Sequence, residues 1–225
     1  MTARPADVVR DMAIFSDRFE AGRLLGQRLA RLDLVDPVVL ALPRGGVPVA
    51  VGVSRALRAP LDLLLVRKIG APHQRELAVA AVVDGDRPEV VVDEQTLRLS
   101  GADQAYVDAQ AALELKEIER RRALYLRGRG PLALAGKSVV LVDDGIATGT
   151  TVRAALKALQ RARAARLVLA VPVAPADTVA LLHDEVDELV CLAQPAFFHA
   201  VGAHYGDFHQ IEDEEVVALL DSVRV

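Results

Sequence analysis

The sequence predicts an α/β fold, with a parallel β-sheet covered by helices on both faces. Three observations predict it. Short runs rich in Val, Leu and Ala alternate with longer stretches of helical periodicity. Those runs are apolar at successive positions, as strands buried on both faces must be. The chain has 225 residues and a 52% hydrophobic composition, enough for one large domain to bury its core without a disulfide or metal staple.

Taken in chain order, Asp17–Leu32 reads as an amphipathic helix. Pro37–Leu42 is a buried strand ending at Pro43, and Gly46–Leu57 is a helix. Leu61–Val66 is the second strand. Leu77–Val83 and Glu89–Asp93 are β-rich and flank Asp84-Gly85-Asp86-Arg87-Pro88, whose Asp-Gly pair suggests a hairpin. Residues 70–93 are thus expected to form an arm outside the sheet. Asp103–Leu126 is a long helix with Glu117 placed i,i+4 from Arg121, and its charges read as a solvated face; it is an expected insertion at 103–127. Val139–Val142 is the third strand, followed by a helix over Thr150–Arg163. Leu167–Val171, a helix over Ala176–His183, and Val186–Leu192 complete the alternation. Gln194–Gln210 is rich in aromatics and histidine, and Glu212–Val223 reads as a last helix. Residues 194–225, with the helix at 17–32, are expected to cap the sheet. No repeat or low-complexity linker divides the chain, so a single domain over 1–225 is expected.

Composition narrows the partners. A net charge of −4 and a pI near 5.8 give no basis for broad nucleic-acid binding, and no DNA partner is expected. Only Lys68, Lys116, Lys137 and Lys157 are lysines, a shortage that genome base composition explains, and Lys68 is one of the more informative of them. The single cysteine, Cys191, excludes an internal disulfide and points to a reducing compartment. The first twelve residues lack an apolar signal core, and no run approaches the roughly 18 apolar residues of a membrane span. A soluble cytoplasmic protein is expected.

The most informative string is Val139–Thr151, VVLVDDGIATGTT. Its strand delivers Asp143 and Asp144 to the carboxyl edge of the sheet, where open α/β sheets bind ligands. Gly145-Ile146-Ala147-Thr148-Gly149-Thr150-Thr151 then runs into a helix. Glycines let backbone N–H groups approach an anion, the helix N-terminus adds its dipole, and threonine hydroxyls add donors. The loop suits a phosphate monoester. It is not a Walker A loop, because no Lys follows its second glycine. The adjacent carboxylates would repel that phosphate and should face something else. Ribose hydroxyls are good partners, and the pair can also orient a hydrated Mg²⁺.

This string closely resembles the signature of type I phosphoribosyltransferases, whose fold is a Rossmann-like parallel sheet flanked by helices. The resemblance implies that Asp143 and Asp144 contact the ribose of 5-phosphoribosyl 1-pyrophosphate. It assigns the 5′-phosphate to Gly145, Ala147, Thr148, Gly149, Thr150 and Thr151, and Mg²⁺ to the acidic pair through water. It extends to Arg44, Gly45 and Gly46 as a pyrophosphate loop, and to Arg67 and Lys68 as a basic pair meeting the same group. Ala71–Pro88 matches the family's mobile hood, with His73 and Arg75 as cations and Glu76 and Asp84 as acid/base candidates. Lys68, Asp84 and the two aspartates are therefore the expected catalytic residues.

Phe15–Arg23, Ala41–Gly46, Val66–Gly70 and Ala200–Phe208 also resemble one bacterial subgroup of this family whose substrate is unsettled. The implied reaction transfers phosphoribosyl to a nitrogen acceptor, such as a nucleobase in salvage, and releases pyrophosphate. Ala147 stands where oxopurine-specific relatives carry Asp, which argues against hypoxanthine and guanine. The sequence Ala71–Arg75 lacks the lysines of orotate-type relatives. Phe197, Phe198 and Tyr205, with Phe208, are expected to stack on a flat acceptor, and His199, His204 and His209 to hydrogen-bond it. A homodimer is implied by resemblance. The alternative is a regulator that senses the sugar diphosphate without turning it over.

Overall fold

The computed structural model describes residues 13–85 and 88–223. The opening residues, Asp86 and Arg87 of the expected turn, and the last two residues of the expected cap lie outside these.

Five strands form one sheet with every neighbouring pair parallel: β1 (Val38–Ala41), β2 (Leu61–Leu63), β6 (Ser138–Val142), β7 (Arg166–Val173) and β8 (Glu188–Ala193). Their order is β2-β1-β6-β7-β8. β1 and β6 are entirely buried, which is why their sequences show no alternation. On one face pack α1 (Arg18–Leu29), α2 (Gly46–Leu57) and the last helix, α7 (Asp213–Asp221). Their buried side chains join Val39, Ala41, Val140 and Val142 in one cluster. On the other face α5 (Thr150–Leu159) and α6 (Ala176–His183) cover Val38, Leu40, Val139 and Leu141. α1 and α2 pack closely: a Cβ on Gly22 would lie 2.4 Å from the Val49 carbonyl oxygen.

The chain moves from β1 to one side of the sheet and from β6 to the other. The order therefore reverses between these neighbours, and the loops leaving their carboxyl ends open a crevice there.

The second strand is shorter than the run Leu61–Val66 suggests. β2 stops at Leu63, and Val66–Ala71 is β3, the first strand of a separate antiparallel sheet. β3 pairs with β4 (Gln74–Val83), which pairs in turn with β5 (Glu89–Val92). The β4–β5 pairing matches the expected hairpin, and β3 is an additional strand. The arm is anchored at its base, where Val79–Val83 are buried, while Pro72–Leu77 are exposed. A short helix unmarked by the sequence pattern, α3 (Glu94–Ser100), follows. The long α4 (Gln104–Leu126) then runs beside the arm. Both start on aspartate caps: Asp93 accepts from the Gln95 and Thr96 N–H groups, and Asp103 from Tyr106.

The charges of α4 are not all solvated. Glu117 does meet Arg121, and Arg120 as well, and these bonds pull its pKa down to about 2. Three other residues bind the arm: Glu114 pairs with Arg67, Tyr106 donates to the Gly70 carbonyl, and Arg122 pairs with Asp84.

Candidate active site

The crevice between β1 and β6 holds the acidic pair. Asp143 and Asp144 are the first residues beyond buried β6, and the Asp144 N–H donates to Asp143 Oδ1 at 2.9 Å. Both are half-buried. Burial, then the neighbouring Asp144 charge, pushes Asp143 well above the usual carboxylate range. Burial also raises Asp144, opposed by hydrogen bonding and charge from Arg18.

The loop after β1 closes on this pair. A Cβ on Gly45 would lie 2.1 Å from Asp144 Oδ2, so only glycine lets Pro43-Arg44-Gly45-Gly46 approach so closely. The Pro43–Arg44 peptide is cis. Arg44 is turned toward the start of α7, where Nη1 is 3.2 Å from Glu212 Oε2 and 3.6 Å from Asp213 Oδ1.

After Asp144 the chain is pinned at two points. The Ile146 N–H donates to the Val173 carbonyl at 2.9 Å, and Thr178 Oγ1 donates to the Ala147 carbonyl at 2.8 Å. Gly149 takes φ +75°, a left-handed conformation that turns the loop into α5. Among the described residues no protein acceptor takes the N–H groups of Ala147, Thr148, Gly149, Thr150 or Thr151. Ala147, Thr148 and Thr150 are exposed, and the two threonine hydroxyls lie 3.3 Å apart. Free N–H groups at a helix N-terminus form an anion cradle.

The sequence that builds this site matches a family model. The phosphoribosyl transferase domain model covers residues 17–205. The chain belongs to this phosphoribosyltransferase family. It is 49% identical over 211 residues to Rv0571c of Mycobacterium tuberculosis, whose name refers to the same family and to no substrate. That match covers 93% of this chain and 47% of the relative. A hypoxanthine/guanine phosphoribosyltransferase of Ferroglobus placidus is 31% identical over 137 residues, 61% of this chain and 51% of that one. The chain thus spans about half the length of these curated relatives. The crystal structure of TT1426 from Thermus thermophilus superposes with a TM-score of 0.80 at 46% identity, covering 92% of this chain and 97% of that one.

Other expected phosphoribosyltransferase residues lie elsewhere. Arg67 and Lys68 are adjacent in β3, so their side chains leave opposite faces of that strand. Arg67 is held by Glu114 at 2.7 Å, and Lys68 is exposed. Asp84 is buried against Arg122 and lines a different cavity, about 430 Å³, with Asp62 and Arg161. Burial raises its pKa, and the Arg122 charge opposes that. His73, Arg75 and Glu76 sit on the exposed arm tip.

The aromatic residues divide. Phe197 is exposed, and Phe198 packs on His204 with ring centroids 5.1 Å apart. Tyr205 is no free platform: it is buried, and its hydroxyl donates to the Asp144 carbonyl. Phe208 is covered by the Arg18 guanidinium, 3.6 Å from the ring centroid.

Arg18 is the residue that motif reading misses. It is 6% exposed, and its Nε donates to Asp144 Oδ2 at 2.8 Å. One signal for it exists in the sequence. A cation in the first turn of a helix opposes the helix dipole, so a tertiary partner should hold it there. With Arg44, Gly45, Asp144 and the segment Phe208–Ile211 it lines a cavity of about 380 Å³.

Among the described residues, no three His, Cys, Asp or Glu side chains are placed to hold a metal ion. Asp144 Oδ2 is taken by Arg18 and Asp143 Oδ1 by the Asp144 N–H, while among the described residues the other oxygen of each carboxylate accepts no hydrogen bond, so the chemistry of the pair suits a hydrated Mg²⁺.

Proposed function

We propose that the chain binds 5-phosphoribosyl 1-pyrophosphate and transfers its phosphoribosyl group to a nitrogen acceptor. One observation carries this reading. The unpartnered N–H groups of Ala147–Thr151 and the Asp143–Asp144 carboxylates leave the same strand end, at the spacing of one short loop. The cradle takes the 5′-phosphate, and the carboxylates accept hydrogen bonds from the ribose hydroxyls. Gly45 and Gly46 bring backbone close to the acidic pair, and Arg44 offers charge to the pyrophosphate.

In the reaction the acceptor nitrogen forms a bond to C1 of the ribose. The C1–oxygen bond breaks, its electron pair leaves with pyrophosphate, and the nitrogen's proton passes to solvent or the departing pyrophosphate. Bound Mg²⁺ supplies charge neutralisation for the diphosphate. The chain's own contribution is to fix the sugar at both ends, so that the two reacting atoms meet in line. A cytoplasmic setting fits this use of a soluble sugar diphosphate. No helix among the described residues is long and apolar enough to cross a membrane.

The test is pyrophosphate release from the sugar diphosphate with Mg²⁺ and a panel of nucleobases and amines. Release that depends on one acceptor is expected. Tight Mg²⁺-dependent binding without release for any acceptor would replace the transferase with a sensor. Asp144→Asn is expected to weaken sugar binding about tenfold or more, as loss of a charged hydrogen-bond partner does; unchanged affinity in a titration would remove the ribose role.

A further inference from the structure

We infer that Arg18 is a positioning residue, which sets Asp144 for the ribose and ties that carboxylate to the C-terminal segment beside it. The inference rests on the reading of Asp144 as a ribose ligand.

Three contacts fix the guanidinium. Nε donates to Asp144 Oδ2 at 2.8 Å, Nη1 donates to the His209 carbonyl at 3.0 Å, and the plane lies over the Phe208 ring. Phe208 is backed in turn by Tyr205, with ring centroids 5.1 Å apart, and the Tyr205 hydroxyl reaches the Asp144 backbone. Asp144 is thus held at its carboxylate and at its carbonyl by one connected group. No other residue donates to its Oδ1 among the described residues, and that oxygen is left for a hydroxyl.

The placement is costly for its helix. Arg18 opens α1, where the dipole disfavours a cation and where Asp17 already caps Glu20. Arg18 is nevertheless buried to 6% exposure. A surface role or helix propensity explains neither fact. Lysine would keep the charge but not the planar fork that serves Asp144, the carbonyl and the ring at once.

The experiment measures affinity of the 225-residue chain for two probes by calorimetry: ribose 5-phosphate, which needs both subsites, and inorganic phosphate, which needs only the loop. Arg18→Met is expected to weaken ribose 5-phosphate about tenfold or more and to leave phosphate binding unchanged. In Arg18→Met/Asp144→Asn the loss should equal that of Asp144→Asn alone, because Arg18 acts through that carboxylate. Additive losses, or equal weakening of both probes, would overturn the inference. Should Arg18→Met fail to fold, Arg18→Lys serves: it should lose ribose 5-phosphate affinity selectively, and wild-type affinity would count against the role. Asp144→Asn binding like wild type would overturn the ribose reading itself. A weakened Asp144→Asn beside an unaffected Arg18→Met would overturn this inference alone.

Discussion

Asp143, proposed above to hold the ribose, shows how a buried carboxylate is kept at the expense of stability. Burial and the adjacent Asp144 charge hold its pKa above the ordinary range. In the unfolded chain an aspartate titrates at about 3.9. The folded state therefore binds the proton more tightly. The stability this contributes is complete below the unfolded value and is lost as pH rises through the raised folded value. Asp143→Asn removes the titration while its Oδ1 can still accept the Asp144 N–H. The variant should melt above wild type at pH 8, and the gap should close toward pH 4. Thermal scans across that range check it, and a gap that widens on acidification would contradict the argument. Ribose 5-phosphate binding should fall in the same variant, a trade common where a site needs crowded charges.

At the scale of elements, the loop after β1 depends on a side chain it lacks. Gly45→Ala would place a Cβ 2.1 Å from Asp144 Oδ2, and Arg18 keeps that oxygen from swinging away. Overpacking of this kind costs about 1–3 kcal/mol. Gly45→Ala should lower stability by that amount in urea denaturation and abolish ribose 5-phosphate binding; a variant of wild-type stability would mean the loop shifts freely. The parallel strands, α2 and α6 were legible because their apolar patterns are strong and their ends carry Pro, Gly or charge. The end of β2 was not, because Leu61–Val66 is nearly continuous in apolar character and nothing in it marks the exit from the sheet at Leu63. α3 is seven residues long and too short to show a period. Asp143, Asp144 and the glycine-threonine loop stood out because they are contiguous. Arg18, 126 positions from Asp144, and Asp84, 38 from Arg122, belong to pairs that only the folded chain brings together.

Across the whole molecule, α4 connects the arm to the loop after β1. Along its length it holds the arm through Tyr106–Gly70, Glu114–Arg67 and Arg122–Asp84. Near its end the buried Tyr125 donates to Asp213, and burial followed by that bond lifts its pKa to about 12. Asp213 lies 3.6 Å from Arg44, so the chain of contacts reaches the candidate pyrophosphate loop. The arm is fixed where it meets α4 and the core, and its β3–β4 tip, Pro72–Leu77, is exposed. β3 begins just past the carboxyl end of β2, and the Asp84 N–H returns to the Leu65 carbonyl at 2.8 Å, so the arm rises from the edge of the sheet that carries the site. A closing motion would then be confined to Pro72–Leu77, with Val79–Val83 as a rigid base. Hydrogen exchange with and without saturating 5-phosphoribosyl 1-pyrophosphate and Mg²⁺ tests this division. Amides at 73–77 should exchange fast alone and slow severalfold with ligand, while those at 79–83 should be slow in both states. Fast exchange at 79–83 in the free protein would show that the whole arm moves as one body, and an unchanged tip would show that the arm does not close over the sugar.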